Sequence, residues 1–382
     1  MFNLAFSKTN SKKHEAVQMG KVHQLLVNLL ATPLDYPDHF ATLSAAIIMA
    51  ITYGYEVVPK DDPFVANIVR LVELFIHAMT AERATLINTL PLLAHIPSWF
   101  PGGGFKKQAA ECRALARTVL EDPVKYVQDR IAAGTATSSF VGDLLEMEIG
   151  TELVSSKDEA VKAVAATVFL GGAETTSSAL LVFFLAMVLY PETQAKAQEE
   201  IDRVVGNDRL PEFKDRQNLP YVEGVFLEIL RWHPINPILL PHKTTTADVF
   251  HGMYIPKGVT VLVNIWAMTR NEKRYSNPAA FNPERHLTTS GTVAEGTSSP
   301  YFGLGRRICP GRHVADQSLW AVVVSILATL RIGKARDEAG HEVDFTPEFT
   351  TGITSHPKPF HCTIEPRSSR AVQLIHASVG AN

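Results

Sequence analysis

Residues 301–312 read YFGLGRRICPGR, and their Cys309 is one of only three cysteines in 382 residues. Three glycines, a proline and three arginines surround it. Gly303 and Gly305 permit backbone shapes closed to other residues, and Gly311 would let a helix pack closely just after the thiol. Such a loop is built to approach something large and flat. Arg306, Arg307 and Arg312 favour a thiolate and can pair with ligand carboxylates as two-pronged donors. A lone cysteine is usually a small buried hydrophobe. Half a disulfide, a nucleophile and a metal ligand are the other readings open to Cys309.

The remaining totals narrow the choice. Cys112, Cys309 and Cys362 are odd in number and far apart, which argues against a disulfide framework and suits a reducing compartment. No CxxC pair exists, so a structural zinc site is not expected. Ile308 stands where the dinucleotide pattern GxGxxG needs its third glycine, and no strand precedes PGGGF at 101–105. No nicotinamide or flavin site is evident. The net charge of −3 gives no general pull toward nucleic acid. With 46% apolar residues the chain can bury a large core, and at this size it covers roughly three quarters of its unfolded surface.

Residues 14–90 read as helices broken near Pro33, Pro59 and Pro63. PSWFPGGGF at 97–105 is a loop, and helical periodicity returns from Lys106 to Ala133. Ser156 with Glu159 forms a capping box that opens one helix running to Pro191, about 50 Å long at the usual rise per residue. Its segment 163–190 is the most apolar in the chain, but GGAETTSS interrupts it with a carboxylate and four hydroxyls. It therefore reads as a buried core helix and not as a membrane span. Amphipathic helices follow at 191–206 and 221–234. Residues 249–264 read as a hairpin around PKG, 316–332 as helix, and 341–367 as strands and turns. TTSGTVAEGTSS, 288–299, is a polar loop. No internal repeat is visible. The fold class expected is mainly α with small β-sheets, an α+β arrangement in a single domain over 1–382.

FGLGRRICPG resembles the cysteine-ligand loop of the cytochrome P450 haem-thiolate monooxygenases. Four other stretches agree in order and spacing. GGAETT (171–176) resembles the family's oxygen-activation motif, EILR (228–231) its ExxR helix, and FNPERH (281–286) its PERF segment. PHKTTTADVFHGMYIPKG (241–258) resembles the strand region between them. Each alone is modest, but five in order leave little room for accident. The resemblance covers essentially the whole chain. It is closest to fungal members of secondary metabolism, of the O-methylsterigmatocystin oxidoreductase-like kind.

The resemblance implies roles residue by residue. Cys309 becomes the axial thiolate of the iron of haem b (iron protoporphyrin IX), within a loop that also includes Phe302, Gly303 and Gly311. Arg307 and His242 match positions that hold haem propionates. Glu228, Arg231 and Arg285 become a buried structural network behind the loop. Two adjacent glycines in a helix interior cost about 1 kcal/mol each, and Thr175 and Thr176 can bend a helix by bonding their own backbone. The resemblance turns this distortion into a groove for oxygen and water, with Glu174 and Thr175 relaying protons. The segments 169–173, 235–239 and 352–354 match pocket-lining ones. They are mostly apolar, so a hydrophobic small molecule such as a terpenoid or polyketide is expected as substrate.

Electrons would come from a separate NADPH-cytochrome P450 reductase, with Arg306, Arg312 and His313 available for a docking face toward an acidic partner; solvated loop charges explain them equally well. Residues 1–20 hold no apolar run of signal-peptide or anchor type. Full-length microsomal relatives carry an anchor, a first sheet and early helices upstream. The chain is therefore expected to be N-terminally truncated, its parent lying on the cytoplasmic face of the endoplasmic reticulum membrane through the missing anchor. Two alternatives to the monooxygenase remain: an oxygen-independent haem-thiolate isomerase or dehydratase, against which Glu174 and Thr175 count, and an inactive fragment.

Overall fold

The computed structural model describes residues 1–58, 62–78, 86, 89–90, 92, 95–100, 103–147, 156–294 and 300–380. The expected break at Pro59, the helical reading across 79–85, Pro101 and Gly102 of the glycine-rich loop, and residues 295–299 of the polar loop lie outside them.

After one helical turn at Asn3–Phe6, the helices are Glu15–Ala31 (α1), Tyr36–Tyr53 (α2), Pro63–Ala78 (α3), Gly104–Ala132 (α4), Phe140–Glu146 (α5) and Lys157–Ala173 (α6). They continue as Thr175–Leu189 (α7), Pro191–Val204 (α8), Pro220–Trp232 (α9), Ile265–Thr269 (α10), Arg312–Thr329 (α11) and Ser369–Gly380 (α12). The strands are His242–Lys243 (β1), Asp248–Phe250 (β2), Met253–Ile255 (β3), Thr260–Val261 (β4), Leu330–Lys334 (β5) and Cys362–Pro366 (β6). They pair antiparallel as β1–β4, β2–β3 and β5–β6. The chain is mainly α with small sheets. Prolines at the first position open α3, α8 and α9, where the missing N–H costs nothing.

Met1–Val17 and Ala41–Glu174 form one compact unit. In it α4 packs against α3, α5 and α6. Phe6 meets Phe140 edge-on at 5.2 Å, and Tyr55 contacts Phe64 and Tyr126 at 4.9 and 5.1 Å. Ser156 caps α6 by accepting from the Glu159 N–H at 3.1 Å.

Gln18–Phe40 and Thr175–Asn382 form the second unit. Its centre is α7, buried from Thr176 to Val188 except at Leu181, with α8, α9, α11 and β5 packed on it. Phe184 meets Tyr36 and Phe40 at 5.1 and 4.7 Å. Gln194 brackets the middle of β5 by donating to Ile332 O at 2.7 Å and accepting from Ile332 N at 2.8 Å.

Several sequence expectations need correction. The helix expected to run unbroken from Ser156 to Pro191 is two helices, interrupted at Glu174 (φ −104, ψ −38). The cause is local: adjacent glycines weaken the helix and two threonines follow at once. Lys157–Leu189 is long and apolar enough to cross a membrane by length and composition, but its most apolar stretch is mostly buried within the protein. The hairpin at 249–264 turns at His251 and Gly252 and not at PKG. Both residues have positive φ, +48 and +78, as a two-residue hairpin loop of type I′ requires. PKG instead leads into β4, which pairs with β1, His242 opposite Val261. The helix expected at 316–332 begins at Arg312 and ends at Thr329, and LRIGK is strand β5. Helices α5 and α12 were not read from the sequence; the signal in α12 is Ala371 and Ile375, buried one turn apart.

Candidate active site

Cys309 closes a loop of short turns. Its N–H donates to Phe302 O at 2.7 Å, Gly303 N to Pro300 O at 2.8 Å, and Ile308 N to Gly305 O at 3.3 Å. The loop folds back this tightly because Gly303 and Gly305 take φ of +85 and +61, the left-handed region where a side chain is strained. Downstream, Arg312 donates to Cys309 O through both its backbone N–H and its guanidinium, at 3.4 and 3.1 Å. This turn leads into α11, whose first helical bond runs from Ala315 N to Gly311 O at 2.9 Å. Gly311 is not a close-packing device: a Cβ there would meet only Cys309 Sγ, at 4.0 Å.

The Cys309 thiol is pushed up by burial, partly offset by the backbone N–H of Gly311, the Arg312 charge and the Arg312 backbone N–H. The expectation that three arginines act on the sulfur is therefore met by one. Arg306 and Arg307 are exposed, and burial outweighs Arg312. The sulfur is a neutral thiol by itself, surrounded by the donors an anion would use, and a metal cation reverses that balance by deprotonating its ligand. Cys362 is by contrast a small buried hydrophobe in β6, its thiol pushed up to about 12 by burial alone.

Around the thiol loop the chain shows apolar side chains. Leu304 and Ile308 are exposed. Leu239 lies 3.9 Å from where a Gly303 Cβ would stand, and Ile238 and Leu240 beside it are exposed. Leu239 has φ +50, a costly conformation for leucine. His242 follows in β1. Neither His242 nor Arg307 has an ion-pair partner among the described residues, and both are exposed.

Glu228, Arg231 and Arg285 come together. Arg231 donates twice to the Glu228 carboxylate, Nε to Oε2 and Nη2 to Oε1, each at 2.7 Å. Its remaining donors reach the carbonyls of Thr269, Pro278 and Ala280 at 3.0, 2.9 and 3.1 Å. Arg285 Nε adds a bond to Glu228 Oε1 at 3.0 Å. Two donors were missed by sequence reasoning: the Asn282 N–H at 2.9 Å and His286 Nε2 at 2.8 Å. The signal for His286 is that it replaces the phenylalanine of PERF. Burial alone would raise the Glu228 carboxyl; the hydrogen bonds from Arg231 and His286 and the Arg231 charge hold it below the ordinary carboxylate range. Arg231 also lies 5.3 Å from the Tyr275 ring, and the Tyr301 hydroxyl hydrogen-bonds Tyr275. Tyr301 opens the thiol stretch, so the scaffold reaches the loop through it.

Glu174 and Thr175 stand at the interruption between α6 and α7, Glu174 the last residue of the first unit and Thr175 the first of α7. Both are half-buried. The two glycines before them differ. A Cβ on Gly172 would come within 2.5 Å of Ile48 Cγ1, whereas Gly171 has nothing within 4 Å. Gly172 thus serves close approach of α2 to α6, and the open position is Gly171.

With this geometry, the comparisons with known proteins decide the family. The cytochrome P450 family profile matches residues 12–364. The chain belongs to the cytochrome P450 family. It is similar to "Cytochrome P450 monooxygenase claR" of Ampulloclitocybe clavipes, 40% identical over 95% of this chain and 67% of the relative. It is 42% identical to "Cytochrome P450 monooxygenase 208" of Postia placenta over 94% of this chain and 69% of that one. "Cytochrome P450 monooxygenase ple1" of Rhodocybe pseudopiperita is 38% identical over 98% and 72%. A P450 carries a haem-iron cofactor and generally draws on a redox partner. The residues present fit such a group: a soft sulfur faced by peptide N–H donors, apolar side chains in and beside the loop, and the exposed Arg307 guanidinium with no ion-pair carboxylate among the described residues.

Proposed function

We propose that this P450 is a monooxygenase that inserts one oxygen atom of dioxygen into a hydrophobic small molecule of terpenoid or polyketide type, in fungal secondary metabolism, with electrons from an NADPH-cytochrome P450 reductase. The observation that carries it is the Cys309 loop: a lone sulfur at the N-terminus of α11, with the N–H groups of Gly311 and Arg312 on it. On this reading an iron at Cys309 would take its other ligands from haem b, the prosthetic group the family implies. When bound, that group activates dioxygen, the thiolate favouring O–O cleavage.

Cys309 holds the iron, and the two N–H groups tune the sulfur. Phe302, Gly303 and Gly311 shape the loop around it. Arg307 and His242 bind the propionates. Thr175 and Glu174 would hold and relay protons at the interruption between α6 and α7, through the Thr175 hydroxyl and the Glu174 carboxylate. Glu228, Arg231 and Arg285 keep the loop in place. On this reading residues 1–382 work as one P450 domain at the cytoplasmic face of the endoplasmic reticulum membrane.

The reduced-CO difference spectrum tests it. The chain purified with haem is expected to give the thiolate-type Soret band, and Cys309→Ser to lose it. Retention of that band in Cys309→Ser while Cys112→Ser or Cys362→Ser loses it overturns the assignment.

A further inference from the structure

After α9 the chain runs His233-Pro-Ile-Asn-Pro-Ile-Leu239 and ends against the thiol loop, Leu239 on Gly303. Leu239 keeps its positive φ of +50 only because neighbours determine it. One neighbour is clear on the other side: the Pro237 carbonyl accepts from Trp266 N at 2.9 Å. The second is a hairpin far along the chain. Thr350 N donates to His356 O at 2.9 Å and Lys358 N to Glu348 O at 2.7 Å, so residues 348–358 fold on themselves. The tip contains Gly352 at φ +141, a conformation open essentially to glycine.

Three contacts fasten this tip to the 233–236 segment. Asn236 Nδ2 donates to Ile353 O at 3.0 Å. Ser355 N donates to Ile235 O at 2.8 Å. Ser355 Oγ donates to Thr350 O at 3.0 Å and so accepts from His233 Nε2 at 3.1 Å. The His233 ring lies flat on Phe349, 4.0 Å between centroids. Of these, only Asn236 brings a side-chain donor to the tip's own backbone. Leucine or aspartate would fill the same volume without donating to a carbonyl.

We propose that Asn236 is a positioning residue: its amide clamps the hairpin tip at Ile353 to the 235–239 segment, and the two together set the apolar surface beside Cys309 and thus the size and approach of the substrate. What the clamp positions rests on the monooxygenase reading; the clamp itself does not. Loss of the donor frees the tip to move and lets Leu239 relax away from Gly303. Bulky ligands then feel a different wall, while small ones do not.

The experiment compares the full chain with Asn236→Ala and with Asn236→Asp, which keeps the shape and removes the donor. Hydrogen exchange in the peptide 348–358 is expected to rise about fivefold in both, the effect of one lost hydrogen bond, with α9 and α11 unchanged. In the haem-loaded protein the ratio of 1-phenylimidazole to imidazole dissociation constants is expected to shift by about the same factor, with an unaltered reduced-CO band. Unchanged exchange in both variants overturns the clamp. Raised exchange with an unchanged ligand ratio reduces Asn236 to a local fastening and overturns the positioning role. A parent chain that gives no imidazole spectrum sinks the monooxygenase reading instead, and the exchange measurement still decides the clamp.

Discussion

Glu228 and Arg231 form a two-pronged ion pair with both side chains at 0% exposure. A pair spaced i, i+3 on a helix surface contributes only about 0.3 kcal/mol. Here the surroundings change the scale. Every oxygen of the carboxylate and every donor of the guanidinium is used, and removing one partner strands a buried charge.

The first prediction is therefore an order of effects. Glu228→Ala and Arg231→Ala should each cost about 3–5 kcal/mol and yield unfolded or haem-free protein. His286→Phe, which removes a single bond and fills the space, should cost about 1–3 kcal/mol. Urea midpoints of the chain and haem content of the purified protein measure the order. Equal midpoints for Arg231→Ala and the parent would show that the pair is dispensable.

The second prediction separates the adjacent glycines of α6. Gly172→Ala places a methyl 2.5 Å from Ile48 Cγ1, so overpacking should cost about 1–3 kcal/mol, and Ile48→Ala in the same chain should recover part of it. Gly171→Ala meets nothing and should stabilise by about 1 kcal/mol through helix propensity. Thermal midpoints that move in the same direction for both variants contradict this assignment of Gly172 to packing.

The contrast between these glycines shows what the sequence could carry. GGAETT announces a disturbed helix, and the interruption does fall at Glu174. That Gly172 is filled by Ile48 depends on a residue 124 positions earlier, which no local pattern encodes. The same holds at the scaffold. EILR and PERH are readable as motifs, but the bond from His286 to Glu228 and the path through Tyr275 to Tyr301 arise from packing between elements. Asn236 was legible only as one polar residue in an apolar run. Its meaning depends on where a carbonyl more than a hundred residues later comes to rest. The hairpin reading failed because PKG is a strong turn signal, yet His251-Gly252 offered the two left-handed positions that set the register.

The third prediction concerns pH. The His233 imidazole is lowered from 6.5 to about 4 by burial first, then by the Arg270 and His356 charges nearby. The folded state thus binds fewer protons here than the unfolded chain between those values. Stability from this group is complete above pH 6.5 and falls as pH drops through about 4. The slope of unfolding free energy against pH in that window should fall by up to about 1.4 kcal/mol per pH unit, one proton, when His233 becomes Gln. Chemical denaturation at a series of pH values supplies the slopes, and parallel curves for parent and variant would remove His233 from the titration.

The last prediction bears on mechanism. Thr175 is the first residue of α7 and half-buried, while Thr176 beside it is buried at 9% exposure. If the Thr175 hydroxyl delivers protons to reduced oxygen, Thr175→Ala should still bind haem and still consume NADPH through the reductase. Protons would then arrive in the wrong place, so hydrogen peroxide per NADPH should rise and product per NADPH should fall by about a hundredfold, the lower end of what a positioned proton donor contributes. Thr175→Ser keeps the hydroxyl and should keep most of the coupling. Thr176→Ala removes a buried methyl and hydroxyl one residue away, so it should lower the thermal midpoint with coupling unchanged. A packing role for Thr175 predicts the reverse pattern: a lower midpoint in Thr175→Ala, Thr175→Ser no better, and no specific rise in peroxide. Coupling in Thr175→Ala equal to the parent would take Thr175 out of the proton path and favour an isomerase or dehydratase that needs no oxygen.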